Sequence, residues 1–137
     1  MTSAVIVIIY NLEDCINKQL WLLRKHCHNT ARIVIDNSSS SYPVDKSGVI
    51  KYWCDRHGAQ YVRAHCPEDD PSMSHAWACN LAWTEFADSY DLVWMCDHDL
   101  FLIKPLDLRE LMDGKKIAGL KQVRNSQSND PLYYYRI

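Results

Sequence analysis

Two segments rich in β-branched residues, the continuous apolar run Ala4-Val5-Ile6-Val7-Ile8-Ile9-Tyr10 and the stretch Ala31-Arg32-Ile33-Val34-Ile35-Asp36 with its apolar centre Ile33 to Ile35, constrain this chain more than anything else in it. Neither alternates apolar with polar residues, as a strand with one wet face would. Both read as strands covered on both sides, the condition of a parallel sheet with helices on its two faces. Between them Cys15, Ile16, Leu20, Leu23 and Cys27 recur at helical spacing, with Glu13 and Asp14 in the first turn, where the helix dipole favours acids. Asn11 is the expected N-cap, and the helix is expected to end near His28.

The alternation continues down the chain. A second helix is predicted from Val44 or Asp45 to Arg56, closed by Gly58, and a third strand over Ala59 to Ala64. A polar loop follows from His65 to Met73. Ser74 is the expected cap of a helix whose apolar stripe is Ala78, Leu81, Ala82 and Phe86. The strand Asp91 to Cys96, a short helix around Leu106 to Met112, Gly114 and a strand around Lys116 to Gln122 complete the pattern. Alternating elements with buried strands imply an α/β fold, a three-layer sandwich with a mostly parallel sheet and right-handed crossovers.

At 137 residues one domain, 1–137, is expected. The 15 basic residues against 17 acidic ones form no block able to track a phosphate backbone, so nucleic acid is not an expected partner. The six cysteines include no C-x-x-C pair, and His26-Cys27-His28 and His65-Cys66 lack zinc spacing; free, buried thiols are expected. No basic residue precedes Ala4 to Tyr10 and no small-residue cleavage site follows it, and the run is too short to span a bilayer. The expectation is a cytoplasmic protein with no transmembrane segment.

Chemistry concentrates where the strands stop. Asp97-His98-Asp99 follows the run Asp91-Leu92-Val93-Trp94-Met95-Cys96 directly. Residues at i and i+2 of an extended chain point the same way, so Asp97 and Asp99 can share one divalent cation while His98 turns to the other side. A parallel sheet places its ligand crevice at the carboxyl ends of its strands. Tyr10-Asn11, Asp36-Asn37-Ser38 and Asp97-His98-Asp99 are therefore expected to converge. A hard cation on carboxylates with open positions neutralises a diphosphate, which points to a nucleotide-linked substrate.

With those residues in view, the chain resembles the nucleotide-binding part of GT-A type glycosyltransferases, the nucleotide-diphospho-sugar transferases, over about Val5 to Val123. Val-Ile-Val-Ile-Ile-Tyr-Asn resembles the family's opening strand, Ile-Val-Ile-Asp-Asn-Ser its second strand and base-binding loop, and Asp97-His98-Asp99 its Asp-x-Asp motif. The resemblance implies manganese or magnesium held by Asp97 and Asp99; one of the two can contact the ion directly while the other works through water or the ribose hydroxyls, and Asp99 is the preferred direct ligand. It implies Tyr10 stacked on the base, Asp36 accepting a hydrogen bond from a uracil ring, and further nucleotide-sugar contacts from Asn11, His75, Asn80 and His98. The implied function is metal-dependent transfer of a sugar from a nucleotide diphosphate sugar to a glycan, lipid or protein acceptor.

The sequence also departs from that family. No histidine follows His98, and the later carboxylates are Asp107, Glu110, Asp113 and Asp130, of which Asp130 is the only loop candidate for a general base. The chain is short for such an enzyme, so it is a minimal version, or is completed by a second copy or another protein, or is a fragment. Two other readings stay open. A haloacid-dehalogenase-like phosphatase also ends a strand in Asp-x-Asp, but needs a later Lys with an acidic cluster, and here only Lys115 or Lys116 could serve, with no acidic pair beyond. A nucleotide-sugar-binding module without turnover is the other. A P-loop is excluded, because no G-x-x-x-x-G-K-[ST] occurs.

Overall fold

The computed structural model describes residues 1–39, 45–66 and 70–115. The expected strand Lys116 to Gln122, the base candidate Asp130 and the tail Leu132 to Ile137 lie outside these residues. The order of elements is β1 (Ser3–Ile9), α1 (Glu13–His26), β2 (Ala31–Asp36), α2 (Ser47–His57), β3 (Gln60–Arg63), α3 (Pro71–Phe86), a 3-10 turn (Ala87–Ser89), β4 (Leu92–Asp97) and α4 (Leu108–Met112). The four strands form one all-parallel sheet in the order β3-β2-β1-β4. This is the expected α/β architecture.

β1 explains why the sheet needs cover on both sides. Val5, Val7 and Ile9 point into a core built with Ile16, Leu20 and Leu23 of α1 and with Ile50 and Cys54 of α2. Ala4, Ile6 and Ile8 point the other way, against Ala78 and Ala82 of α3. All six are essentially fully buried. At about 1.5–3 kcal/mol for each large apolar side chain removed from water, this strand is the main hydrophobic anchor of the fold. α3 approaches the sheet through a stripe of small residues, Ser74, Ala78 and Ala82, while Trp77 and Trp83 face outward.

α2 begins at Ser47 rather than at Val44 or Asp45, and the caps of α1 and α3 differ from expectation. Asn11 does not cap α1. It takes a left-handed conformation, φ 54°, which Asn tolerates better than most residues, and Leu12 holds the cap position without a side-chain hydrogen bond. Its backbone N–H donates instead to Ser38 Oγ at 2.9 Å, tying the β1 exit to the β2 exit. Ser74 is not a cap either. α3 begins about a turn earlier, where Asp70 Oδ1 accepts from Ser72 N at 3.0 Å and Met73 N at 2.9 Å, with Pro71 in the first turn. Ser74 is thereby moved inside the helix and buried. Gly58 closes α2 in a left-handed conformation, φ 64°, as expected.

Candidate functional site

The carboxyl ends of β1, β2 and β3 open onto a crevice of about 320 Å³. Its walls come from all three strand exits and from the neighbouring helices: Tyr10 after β1, Asn37 and Ser38 after β2, Arg63 at the end of β3, and Ser74 on α3. His65, Cys66, Asp45 and Ser47 complete the rim. The register explains the convergence. Ile9 is paired with Asp36 and Ile8 with Asp97, so the polar residues that end β2 and β4 flank the last residues of β1.

Asp36 is fully buried and does not line the crevice. Its Oδ1 accepts from Ser38 N at 3.0 Å, and its Oδ2 accepts from the Tyr61 hydroxyl at 2.8 Å. Arg63 NH1 lies 2.9 Å from the same Oδ2, an ion pair whose angle falls short of a hydrogen bond. Arg63 NH2 donates to Ser38 O at 2.6 Å. Burial, and then the hydrogen bond to Asp36, hold the Tyr61 phenol above its usual range. The crevice thus meets Asp36 through its partners: Arg63 forms the wall, and Asp36 fixes Arg63 in place.

Asn37 is buried beside it. Its Nδ2 donates to Ser74 Oγ at 2.9 Å, which joins the β2 exit to the first turns of α3. His75, the next residue on α3, is exposed, and its Nε2 lies 3.6 Å from Asp97 Oδ1. The crevice and the acidic turn are therefore connected through two consecutive residues of one helix.

Asp97 is the last residue of β4, and His98 and Asp99 form the turn that follows, closed by Leu100 N donating to Asp97 O at 3.2 Å. Both aspartates are exposed, and His98 is half-buried. Among the described residues no Lys or Arg ion-pairs with either aspartate, and no three His, Cys, Asp or Glu side chains converge into a closed cation site. Two exposed carboxylates without a Lys or Arg partner among the described residues fit a hard cation such as magnesium or manganese that keeps water or substrate oxygens in most of its positions. They do not fit a closed structural metal site.

Of the sequence-predicted residues, Tyr10 lines the crevice, His75 and Asp97 meet beside it, and Asp99 lies two residues on in the same turn. Asn11 is at the β1 exit, where its side-chain amide is buried without a partner among the described residues. Asn80 is exposed on α3 and is not part of the crevice wall. Asn37, in the loop expected to converge there, lines the crevice, whereas sequence reasoning missed Arg63, Gln19 and the site role of Ser74. Gln19 left a signal, as the one polar residue set into the buried stripe of α1.

No protein-family profile and no curated protein matches this sequence. Solved structures do. S. aureus TarS aligns at a TM-score of 0.54 with 22% identity, covering 83% of this chain and 20% of TarS. A structure of TarS residues 1-349 aligns at 0.52 with 19% identity, covering 83% of this chain and 31% of that one. A formyltetrahydrofolate deformylase from Pseudomonas putida KT2440 aligns at 0.42 with 14% identity over 84% of this chain and 36% of its own, too low for a shared fold to be read from it. The chain therefore spans less than a third of the TarS chains it resembles. At these identities the likeness shows the fold alone: an all-parallel α/β sheet, four-stranded among the described residues, with flanking helices.

Proposed function

We propose that this chain is the donor-binding part of a metal-dependent glycosyltransferase that takes a nucleotide diphosphate sugar. On this reading the crevice at the β1, β2 and β3 exits takes the nucleoside, with Tyr10 against the base and Arg63, held by Asp36, at its edge. Asp97 and Asp99 hold manganese or magnesium beside the diphosphate. A bound divalent ion there supplies charge neutralisation for the leaving nucleoside diphosphate, an effect of several kcal/mol in related chemistry. The acceptor, whether glycan, lipid or protein, is met by residues beyond those described or by a second chain.

The observation that carries the reading is the continuity of the site. A 320 Å³ polar crevice at three strand ends passes, through Ser74 and then His75, to an exposed carboxylate on the fourth strand. A base, a ribose and a diphosphate in sequence need such a layout, and the carboxyl edge of a parallel sheet is where open α/β folds bind nucleotides.

The test is a thermal-shift and calorimetry panel of nucleoside diphosphates with and without manganese. A ligand at 100 times its Kd stabilises the folded state by about 2.7 kcal/mol. One nucleotide is expected to bind, to bind more tightly with manganese, and to lose that gain in Asp99→Ala. Absence of binding by every nucleotide overturns the reading. Binding without release of sugar from the matching nucleotide sugar makes the chain a binding unit.

A further inference from the structure

Gln19 lies in the buried stripe of α1 between Ile16, Leu20 and Leu23, with 0% of its surface exposed. An apolar residue is the ordinary occupant of such a position. Its Oε1 is buried without a partner among the described residues, a state that costs about 1–3 kcal/mol. What the amide supplies is on its other side. Nε2 donates to Asp97 O at 2.8 Å and to Leu100 O at 2.9 Å, with Cys96 Sγ at 3.9 Å. Two carbonyl acceptors need an NH2 group, so the orientation of the amide is fixed by its partners.

Those two carbonyls bracket one turn. Asp97 and Leu100 are its first and last residues, joined by the Leu100 N to Asp97 O bond, and His98 and Asp99 are its centre. A single buried side chain on α1 therefore clamps both ends of the loop that carries the acidic pair. The segment just beyond is also tied to α1, through Leu106 N donating to His26 O at 2.9 Å.

We propose that Gln19 is the positioning residue of the Asp97-Asp99 turn: it touches no ligand, and it sets where Asp99 stands relative to Asp97. The inference rests on the metal reading above. Groups that orient carboxylate ligands from behind typically change metal affinity by about 10- to 100-fold when removed, and without Gln19 the Leu100 carbonyl loses this donor while the Asp97 carbonyl keeps only the Leu100 N–H, so the turn is no longer tied to α1 at either end.

The test compares Gln19→Met, which keeps volume and removes both donors, with Leu20→Val, which loosens the same helix face and leaves both donors in place. Two measurements are made on each: amide hydrogen exchange across residues 97–100, and affinity for each of the four common nucleoside diphosphates with and without manganese. Gln19→Met is expected to exchange faster at Leu100 than Leu20→Val, and to lose about tenfold or more of the manganese-dependent gain. Its metal-free affinity is expected to stay within about twofold of wild type, because the crevice walls do not include Gln19. Exchange no faster than in Leu20→Val, or a full manganese gain in Gln19→Met, overturns the inference. A wild-type protein with no manganese gain overturns the metal reading and the inference with it, while the exchange result then separates a clamp on the turn from no clamp at all.

Discussion

Asp36 and Arg63 are direct partners in the parallel ladder of β2 and β3, and their side chains meet at 2.9 Å with the carboxylate fully buried and the guanidinium on the crevice wall. The pair belongs to the interior and to the site at once. Removing Arg63 leaves a buried acid with, among the described residues, the Ser38 N–H and the Tyr61 hydroxyl to stabilise it.

Arg63→Met is therefore expected to lower unfolding stability by about 3 kcal/mol, the lower end for a broken buried pair because two hydrogen bonds to Asp36 remain. Asp36→Asn combined with Arg63→Met is expected to recover part of that loss. Urea unfolding of the two single variants and the double variant measures both; equal losses that simply add would show that the pair is not coupled.

Cys66 is half-exposed on the rim of the crevice, whereas Cys54 and Cys96 are buried and burial pushes both thiols up to about 12. Thiolate is the reacting form. Alkylation of the native protein is expected to reach Cys66 and to spare Cys54 and Cys96 until the chain unfolds. A nucleoside diphosphate that occupies the crevice is expected to slow labelling of Cys66, which peptide mass spectrometry reads directly.

The small-residue stripe of α3 leaves no spare volume against the sheet, since Ala78 and Ala82 are 0% exposed in contact with the face formed by Ile6, Ile8 and Ile33. Ala78→Leu is expected to cost about 1–3 kcal/mol by overpacking. Thr84→Leu, on the exposed side of the same helix, is expected to stay within about 0.5 kcal/mol of wild type. Thermal unfolding of the two variants gives the comparison.

His57, at the end of α2, is held below its usual pKa of 6.5, first by burial and then by the positive charges of Arg24, Arg56 and Arg32. Its Nε2 meets Asn17 Oδ1 at 2.8 Å, a bond that the neutral ring makes by donating from that nitrogen. The unfolded chain binds the proton more readily than the fold does. The stabilisation is present in full above the unfolded value and is lost as pH falls from there through the folded one. Between about pH 7 and about pH 5 the Tm of wild type is expected to fall more steeply than that of His57→Gln.

How much of this was legible beforehand follows from what sets each feature. The strands were legible because Ala4 to Ile9 and Ile33 to Ile35 are apolar without alternation, a pattern that only double-sided burial requires. The convergence of Tyr10, Asp36 and Asp97 at one edge was legible too, because parallel strands all end on the same side. Helix starts were less so. Ser74 and Asp70 are both good caps, and the choice between them depended on Pro71 and on burial of Ser74 against Asn37, a tertiary contact 37 residues away in sequence. Arg63 escaped notice because its partner is set by strand register, which no local spacing records. Gln19 escaped because its hydrogen bonds reach across 78 and 81 residues.

Helix α3 presses its small residues on the sheet while its N-terminal turns hold Ser74 at the crevice and His75 at Asp97. Packing of the core and placement of Ser74 and His75 are thus mechanically one adjustment: any shift of this rod along its axis, as from a swollen alanine below, displaces both contacts in concert. Selection acting on the interior of this protein would leave its fingerprint in the geometry of that sheet edge.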